Sequence, residues 1–197
     1  MNEPGPDRFD GGGRLERQLP HNVELERAVL ANLLLGTHAT SIHKVRQYIS
    51  HPLAFYVRNH RIIYLACLDL DDDSQPIDAA AVADWLGRLD FRVALDRLRR
   101  QQQVLDGMRE GSFSREQYRR LYRLRDEDFT ADHGQSALAA IGDYAAVAEL
   151  ADTFAPFTAL ERNSQLLWDH YLKRRFIERL SLLTDQAYMT TDTFGAL

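Results

Sequence analysis

LPHNVELERAVLANLLLG, residues 19–36, carries the start and stop signals of one complete helix. Asn22 is a suitable N-cap because its side-chain oxygen can accept a hydrogen bond from a free backbone N–H of the first turn. Glu24 and Glu26 place negative charge near the positive end of the helix dipole. Gly36 is a typical helix terminator. We therefore expect a helix here, and we expect the rest of the chain to pack around it.

The apolar residues of this stretch follow the helical repeat. They are Leu25, Ala28, Val29, Leu30, Leu33 and Leu34. A stripe this wide predicts a helix that faces a core over much of its circumference. Helical spacing of apolar residues recurs in five later segments, which are residues 41–51, 55–69, 79–89, 136–151 and 160–189. No segment alternates strictly over the length of a strand, so the sequence predicts an all-α protein: a compact multi-helix head followed by a long helix.

Composition limits the class of protein. The 197 residues include 24 basic and 29 acidic side chains, which gives a net charge of −5. Such a balance argues against a general nucleic-acid-binding module, because those modules neutralise phosphates with a basic surface. The single cysteine, Cys67, excludes an internal disulfide and fits a reducing cytoplasm. No apolar run approaches the ~18 residues that a bilayer span requires, so we expect a cytoplasmic protein that does not contact a membrane.

Sequence motifs for catalysis are absent. There is no G-x-x-x-x-G-K-[ST] phosphate loop and no G-x-G-x-x-G fingerprint. The seven histidines show no metal-ligand spacing such as H-E-x-x-H. We therefore predict no catalytic residue, no metal ligand, no cofactor and no ATPase activity for these 197 residues. A binding or assembly module is the interpretation that remains.

An acidic run follows the third predicted helix, at Asp69 and residues 71–73. A twelve-residue calcium loop that began at Asp69 would need Gly at its sixth position and Glu at its twelfth. The chain has Ser74 and Ala80 there. We therefore expect a solvated acidic turn.

The chain divides into three parts by composition. Residues 1–18 are rich in Gly and Pro and are expected to be a disordered tail. Residues 19–156 form the predicted head, within which residues 90–133 form an Arg-rich inserted helical hairpin on the outside. Residues 157–197 form the predicted long helix, as one part of a hairpin, and a tail. One face of the insertion is basic, and its candidate contacts to a partner or to nucleic acid are Arg115, Arg119, Arg120 and Arg123.

The long final helix has more apolar surface than one small head is expected to cover. Its predicted self-association residues are Trp168, Tyr171, Leu172, Phe176 and Leu180. An exposed stripe of this kind favours dimerisation. Arg174 and Arg175 lie on the same helix and are further candidates for contacts with a partner or with nucleic acid.

Four segments, in this order and spacing, resemble the N-terminal domain of the DnaB-type bacterial replicative DNA helicase. They are PHNVELERAVL at 20–30; FY at 55–56 with HRII at 60–63; PID at 76–78; and AELAD at 148–152 with Pro156 and RRFI at 174–177. The resemblance covers roughly residues 19–89 and 138–189. It marks as structural motif residues Pro20, Asn22, Glu26, Phe55, His60, Pro76 and Asp78. The chain departs from the family at Gly142-Asp143, where the family usually has paired glycines, and in the length of residues 90–133.

The resemblance implies a non-catalytic assembly and docking domain. In that family, the helical head and hairpin pair subunits, build a collar on the hexamer and receive primase or a helicase loader. The implied partners are a second copy (a dimer, and a trimer of dimers in the whole helicase), primase and a loader, with DNA contacted only indirectly. ATP and Mg would bind only to a motor domain, which would make the full-length protein an ATP-dependent DNA helicase. Two alternatives are a stand-alone helicase-binding adaptor, similar to the primase C-terminal domain or a loader, and an Arg-rich nucleic-acid-binding helical domain.

Overall fold

The computed structural model describes residues 19–37, 40–107 and 134–190. The predicted tails at 1–18 and 191–197 lie outside these ranges. Within them the chain forms α-helices and no strand, which confirms the predicted all-α class; Asp90 and Ser136 make one isolated bridge. The helices are α1 (Val23–Leu34), α2 (Ser41–Arg46), α3 (Arg58–Asp72), α4 (Ala79–Arg88), α5 (Phe91–Gly107), α6 (Ala137–Ile141), α7 (Asp143–Ala151) and α8 (Leu160–Thr190). Two 3₁₀ turns, Pro52–Ala54 and Phe157–Ala159, precede α3 and α8. None of the described helices is both long enough and apolar enough to cross a membrane.

Helix α1 is the centre of the head, as its sequence predicts. The Oδ1 atom of Asn22 accepts a hydrogen bond from the backbone N–H of Leu25 at 3.0 Å, which makes Asn22 the N-cap. After the helix, Gly36 has a φ of +63°, in the left-handed region that glycine adopts without strain. A Cβ at Gly36 would lie 3.0 Å from the Cβ of Asp78, so this position also needs a small residue. Helix α1 packs against α2, α3, α7 and α8.

One apolar core joins these helices. The faces predicted for α3 and α4 are buried in it: Ile63, Ala66, Cys67 and Leu70, and Val82, Trp85, Leu86 and Leu89. From α1 the core receives Val29, Leu30, Leu33 and Leu34. Burial of this apolar surface is the main force that holds the head together.

Helix α5 differs from the prediction that the chain from residue 90 onward forms an outside hairpin. Its Ala94 is fully buried and its Leu98 is 7% exposed, and both belong to the same core as α1. The backbone N–H of Ala137 donates to the carbonyl of Leu89 at 2.8 Å, which ties α6 to the end of α4. The first half of the predicted insertion is therefore part of the head. The second half, residues 108–133, lies outside the described ranges.

Helix α8 has two different halves. In its first half, every third or fourth residue is buried against the head: Leu160, Ser164, Leu167, Tyr171 and Arg174. This half packs on α1, α2 and the 3₁₀ turn Pro52–Ala54. From Phe176 to Met189 every side chain is exposed except Glu178, which is partly buried. The second half of α8 therefore makes little contact with the head.

Candidate functional site

The second half of α8 carries a continuous apolar face. Leu172, Phe176, Leu180 and Leu183 follow one another at intervals of four, four and three residues, which places them on one side of the helix. Their exposed fractions are 47%, 65%, 47% and 60%. We call these four residues the α8 stripe. Other large apolar residues of this half are also exposed, namely Ile177, Leu182, Tyr188 and Met189.

Two of the predicted self-association residues, Trp168 and Tyr171, are not part of the α8 stripe and face the head instead. Tyr171 is only 6% exposed, and its ring centroid lies 4.8 Å from that of His51. Trp168 is half-buried, and its ring lies 5.3 Å from the same histidine. The helical repeat turns these two rings toward the head while Leu172 points away. Of the five predicted residues, the structure leaves Leu172, Phe176 and Leu180 on the exposed surface.

Arg174 is not an exposed contact residue, contrary to the sequence-based expectation. It is 5% exposed, and its guanidinium donates hydrogen bonds to the backbone carbonyls of Pro20 (2.9 Å) and Ala54. The guanidinium also lies over the rings of Tyr56 and Tyr171, at 5.7 and 5.8 Å. Arg174 therefore fixes α8 to two separate segments of the head.

Arg175 ties α8 to α5 on the other side of the helix. It donates to Asp106 at 2.5 Å and to Glu178 at 3.1 Å, and its side chain is 16% exposed. The side-chain amide of Gln102 also donates to Asp106, which holds this carboxylate in place. We call Trp168, Tyr171, Arg174 and Arg175, together with His51, the α8 joint.

Glu26 lies beneath this joint in a role that the sequence analysis missed. It is 1% exposed, and its carboxylate accepts hydrogen bonds from the backbone N–H groups of Tyr56 (2.5 Å) and Val57 (3.2 Å). A third contact, of 2.7 Å, joins it to Nδ1 of His60. The signal was available, because Glu26 precedes Leu30 by four residues and so shares its buried face.

Two arginines, the half-buried Arg61 and the buried Arg174, face this carboxylate. Burial lowers the pKa of both Arg61 and Arg174, and the negative charges of Glu26 and Glu178 act in the opposite direction. Positive and negative groups therefore alternate where α1, α3 and α8 meet. The structure brings together four of the motif residues here, namely Pro20, Glu26, Phe55 and His60. Phe55 takes part through its backbone carbonyl, which accepts a hydrogen bond from Arg61 at 2.6 Å.

The remaining motif residues act locally. Asp78 is the N-cap of α4, since its Oδ1 accepts from the backbone N–H of Ala81 at 2.8 Å. Asn22 is the N-cap of α1 in the same way. Pro76 lines a cavity of about 190 Å³ next to Gly36.

The acidic run is not the solvated turn that we expected. Asp69 is 14% exposed and pairs with both terminal nitrogens of Arg97 at 2.6 and 2.7 Å. Asp71 and Asp72 pair with Arg46. The prediction was wrong because the two arginines come from α2 and α5, which are distant in sequence. In the part of the chain that the structure describes, no group of three His, Cys, Asp or Glu residues is placed to hold a metal ion.

The basic face predicted for Arg115, Arg119, Arg120 and Arg123 lies outside the described residues. On the described part of α5, Arg92, Arg99 and Arg100 are exposed. Arg99 pairs with Asp96 on the same helix at 3.3 Å.

Comparison with known proteins gives consistent results. Residues 18–98 match the family model of the DnaB-like helicase N terminal domain. The replicative DNA helicase DnaB of Synechocystis sp. is 39% identical over 67 residues, which are 34% of this chain and 7% of that protein. The DnaB of Nostoc sp. is 39% identical over 77 residues, 39% of this chain and 8% of that protein. A probable replicative DNA helicase of Trieres chinensis is 38% identical over 76 residues, 38% of this chain and 16% of that protein.

The fold is shared with a solved structure over most of the chain. The crystal structure of the N-terminal domain of DnaB helicase from Mycobacterium tuberculosis aligns with a TM-score of 0.58 and 22% identity. The alignment covers 89% of this chain and 90% of that one. These findings confirm the resemblance inferred from the sequence: residues 18–98 are similar to the DnaB-like helicase N terminal domain, and most of the chain shares the fold of the solved domain. The family match reaches residue 98, so it includes the start of α5.

Proposed function

We propose that this chain, as a DnaB-type N-terminal domain, is a non-catalytic assembly module of a replicative DNA helicase and pairs with a second copy through the α8 stripe. The observation that supports it most directly is the exposure of Leu172, Phe176, Leu180 and Leu183 on one helix face. A soluble domain rarely leaves such a surface uncovered unless a partner buries it. Burial of each of these side chains contributes about 1.5–3 kcal/mol, which is enough in sum to offset the entropy that association costs.

The α8 joint supports the same proposal. Arg174 and Arg175 hold the first half of the helix on the head, so the stripe is presented in a defined direction rather than by a loose segment. An interface whose elements are already ordered loses less conformational entropy when it forms. We infer that the joint serves to orient the stripe for association.

The further roles follow from the family. Paired copies would form the collar of a hexameric helicase, as a trimer of dimers, and would receive primase or a helicase loader in the cytoplasm. The domain would contact DNA only indirectly and would need no cofactor of its own. ATP and Mg would act in a motor domain, so the full-length protein would be an ATP-dependent helicase while this domain catalyses nothing.

Sedimentation velocity over a dilution series tests self-association. We expect dimers of the unmodified chain at ~10 μM. The double variant Phe176→Ser with Leu180→Ser should raise the dimer dissociation constant at least tenfold, because two apolar side chains are lost from the interface. Leu166→Ser is the matched control, since Leu166 is 41% exposed on the same helix but lies outside the stripe. A monomer at ~100 μM, which corresponds to less than about 5.5 kcal/mol of affinity, would refute pairing through this surface.

Titration calorimetry tests the docking role. The C-terminal domain of the primase from the same organism should bind the dimer and should bind the Phe176→Ser, Leu180→Ser variant more weakly if it docks on the paired form. Equal binding to both forms would place the docking surface on the head. No binding to either would remove primase from the proposed partners.

A further inference from the structure

His51 occupies the α8 joint as a buried polar group. It is 2% exposed, and its Nδ1 atom has no hydrogen-bond partner among the described residues. The rings of Trp168 and Tyr171 meet the imidazole edge-on, at interplanar angles of 62° and 74°. An imidazole between two aromatic rings fits well only in its neutral form, since the cation would lose its hydration without gaining an acceptor.

The charges around His51 oppose protonation further. Arg175 faces it from α8 and Arg61 faces it from α3, and both are positive; burial and these two charges together lower the pKa of His51 to about 3. Tyr171 faces it from α8 with its phenol. Asp106, from α5, and Glu178, from α8, are engaged by Arg175.

We propose that protonation of His51 opens the α8 joint, so that acidification separates α8 from the head. The proposal does not depend on self-association, because it concerns contacts within one chain. Arg175 helps to hold the helix on the head, and a positive charge on His51 would repel both Arg175 and Arg61. In the open state the imidazole would be hydrated and would take up a proton readily.

The sign and size of the effect follow from proton linkage. The docked state binds a proton on His51 only near pH 3, whereas a solvated imidazole binds one near pH 6.5. The ratio of docked to open molecules is therefore constant above about pH 6.5 and falls about tenfold for each pH unit below it, until pH approaches 3. Between pH 7 and pH 5 the ratio should fall about 30-fold.

Amide hydrogen exchange, corrected for the intrinsic effect of pH on the exchange rate, tests the proposal. Protection of the amides of residues 164–175 should fall about 30-fold between pH 7 and pH 5, while the amides of Ile62–Cys67 in α3 should keep theirs. The variant His51→Phe keeps a buried ring without a titratable nitrogen, and it should retain α8 protection across this range. His43→Gln is the matched control, because His43 is exposed on α2 and its loss should leave the pH dependence unchanged.

Two outcomes would overturn the proposal. If the His51→Phe variant loses α8 protection on acidification as the unmodified chain does, protonation of His51 is not the cause. If the variant does not fold, NMR titration of the unmodified chain decides: a His51 resonance that titrates normally near pH 6.5 while α8 stays protected would equally refute it. A resonance that shifts together with the loss of α8 protection would support it.

Discussion

At the scale of single residues, the carboxylate of Glu26 shows how a buried charge is tolerated in this head. An isolated carboxylate loses several kcal/mol when it leaves water. Here two backbone N–H groups at the start of α3 and the ring of His60 replace the lost hydration. The two N–H groups belong to Tyr56 and Val57, immediately before α3, so a side chain of α1 satisfies donors at the start of another helix.

Replacement of Glu26 by Ala is expected to lower the free energy of unfolding by roughly 3 kcal/mol, because it leaves the N–H groups of Tyr56 and Val57 and the buried ring of His60 without their partner. Urea denaturation followed by circular dichroism measures the change. Glu24→Ala is the control, since Glu24 is exposed on the same helical turn and its loss should cost no more than about 0.5 kcal/mol. Equal effects of the two substitutions would contradict the role assigned to Glu26.

Some residue roles could be predicted from the sequence and others could not. Asn22 was predicted as an N-cap because a cap bonds to a backbone group only three residues away. The partners of Glu26 lie 30 to 34 residues along the chain, and no local pattern predicts which donors the fold will bring to it. Arg174 was misjudged for the same reason, since its acceptors are more than 100 residues away.

At the scale of secondary-structure elements, α5 is the informative case. Its apolar residues Phe91, Leu95, Leu98 and Leu105 fall on a seven-residue repeat. The buried face instead contains Ala94, Arg97, Leu98 and Gln101. Arg97 and Gln101 are polar, so the apolar pattern of the sequence does not reveal that this face is buried. Arg97 is buried because it pairs with Asp69.

Two deletion variants test whether each half of the predicted insertion contributes to the stability of the head. Replacement of residues 90–133 by a short glycine-serine linker should unfold or strongly destabilise the head. The deletion removes Ala94 and Leu98 from the core and breaks the Arg97–Asp69 ion pair. The loss of one buried Leu side chain alone costs about 2–5 kcal/mol of folding free energy. Replacement of residues 108–133 alone should leave a folded head. Thermal denaturation compares the two. If the larger deletion is as stable as the smaller one, α5 does not contribute to the core as described.

At the scale of the whole molecule, the attachment of α8 decides how the head meets other proteins. Arg174 joins the helix to the segment before α1 and to the 3₁₀ turn before α3. The sequence predicted the helix and the resemblance predicted its family, but neither could predict that α8 is docked up to Arg175 and exposed beyond it. That boundary depends on where the surface of the head ends, which is a property of the assembled core.

Arg174→Ala should loosen this attachment without unfolding the head. It leaves the carbonyls of Pro20 and Ala54 without their donor, and the expected loss is about 2–3 kcal/mol, seen as faster amide exchange in residues 164–175. Lys173→Ala is the control because Lys173 is exposed at the adjacent position. Unchanged exchange in the Arg174 variant would show that Arg174 is not needed to hold the helix on the head.

The division of α8 also has a mechanical consequence. A helix rises 1.5 Å per residue, so the segment from Arg175 to Thr190 extends about 22 Å from the last contacts with the head. This segment is a rigid arm that is held on the head at one end, by Arg174 and Arg175. A tilt of about 10° about this point moves the tip of a helix of this length sideways by about 4 Å. Slight repacking around His51 would therefore be amplified into a sideways displacement large enough to change the packing of any helix paired along the arm.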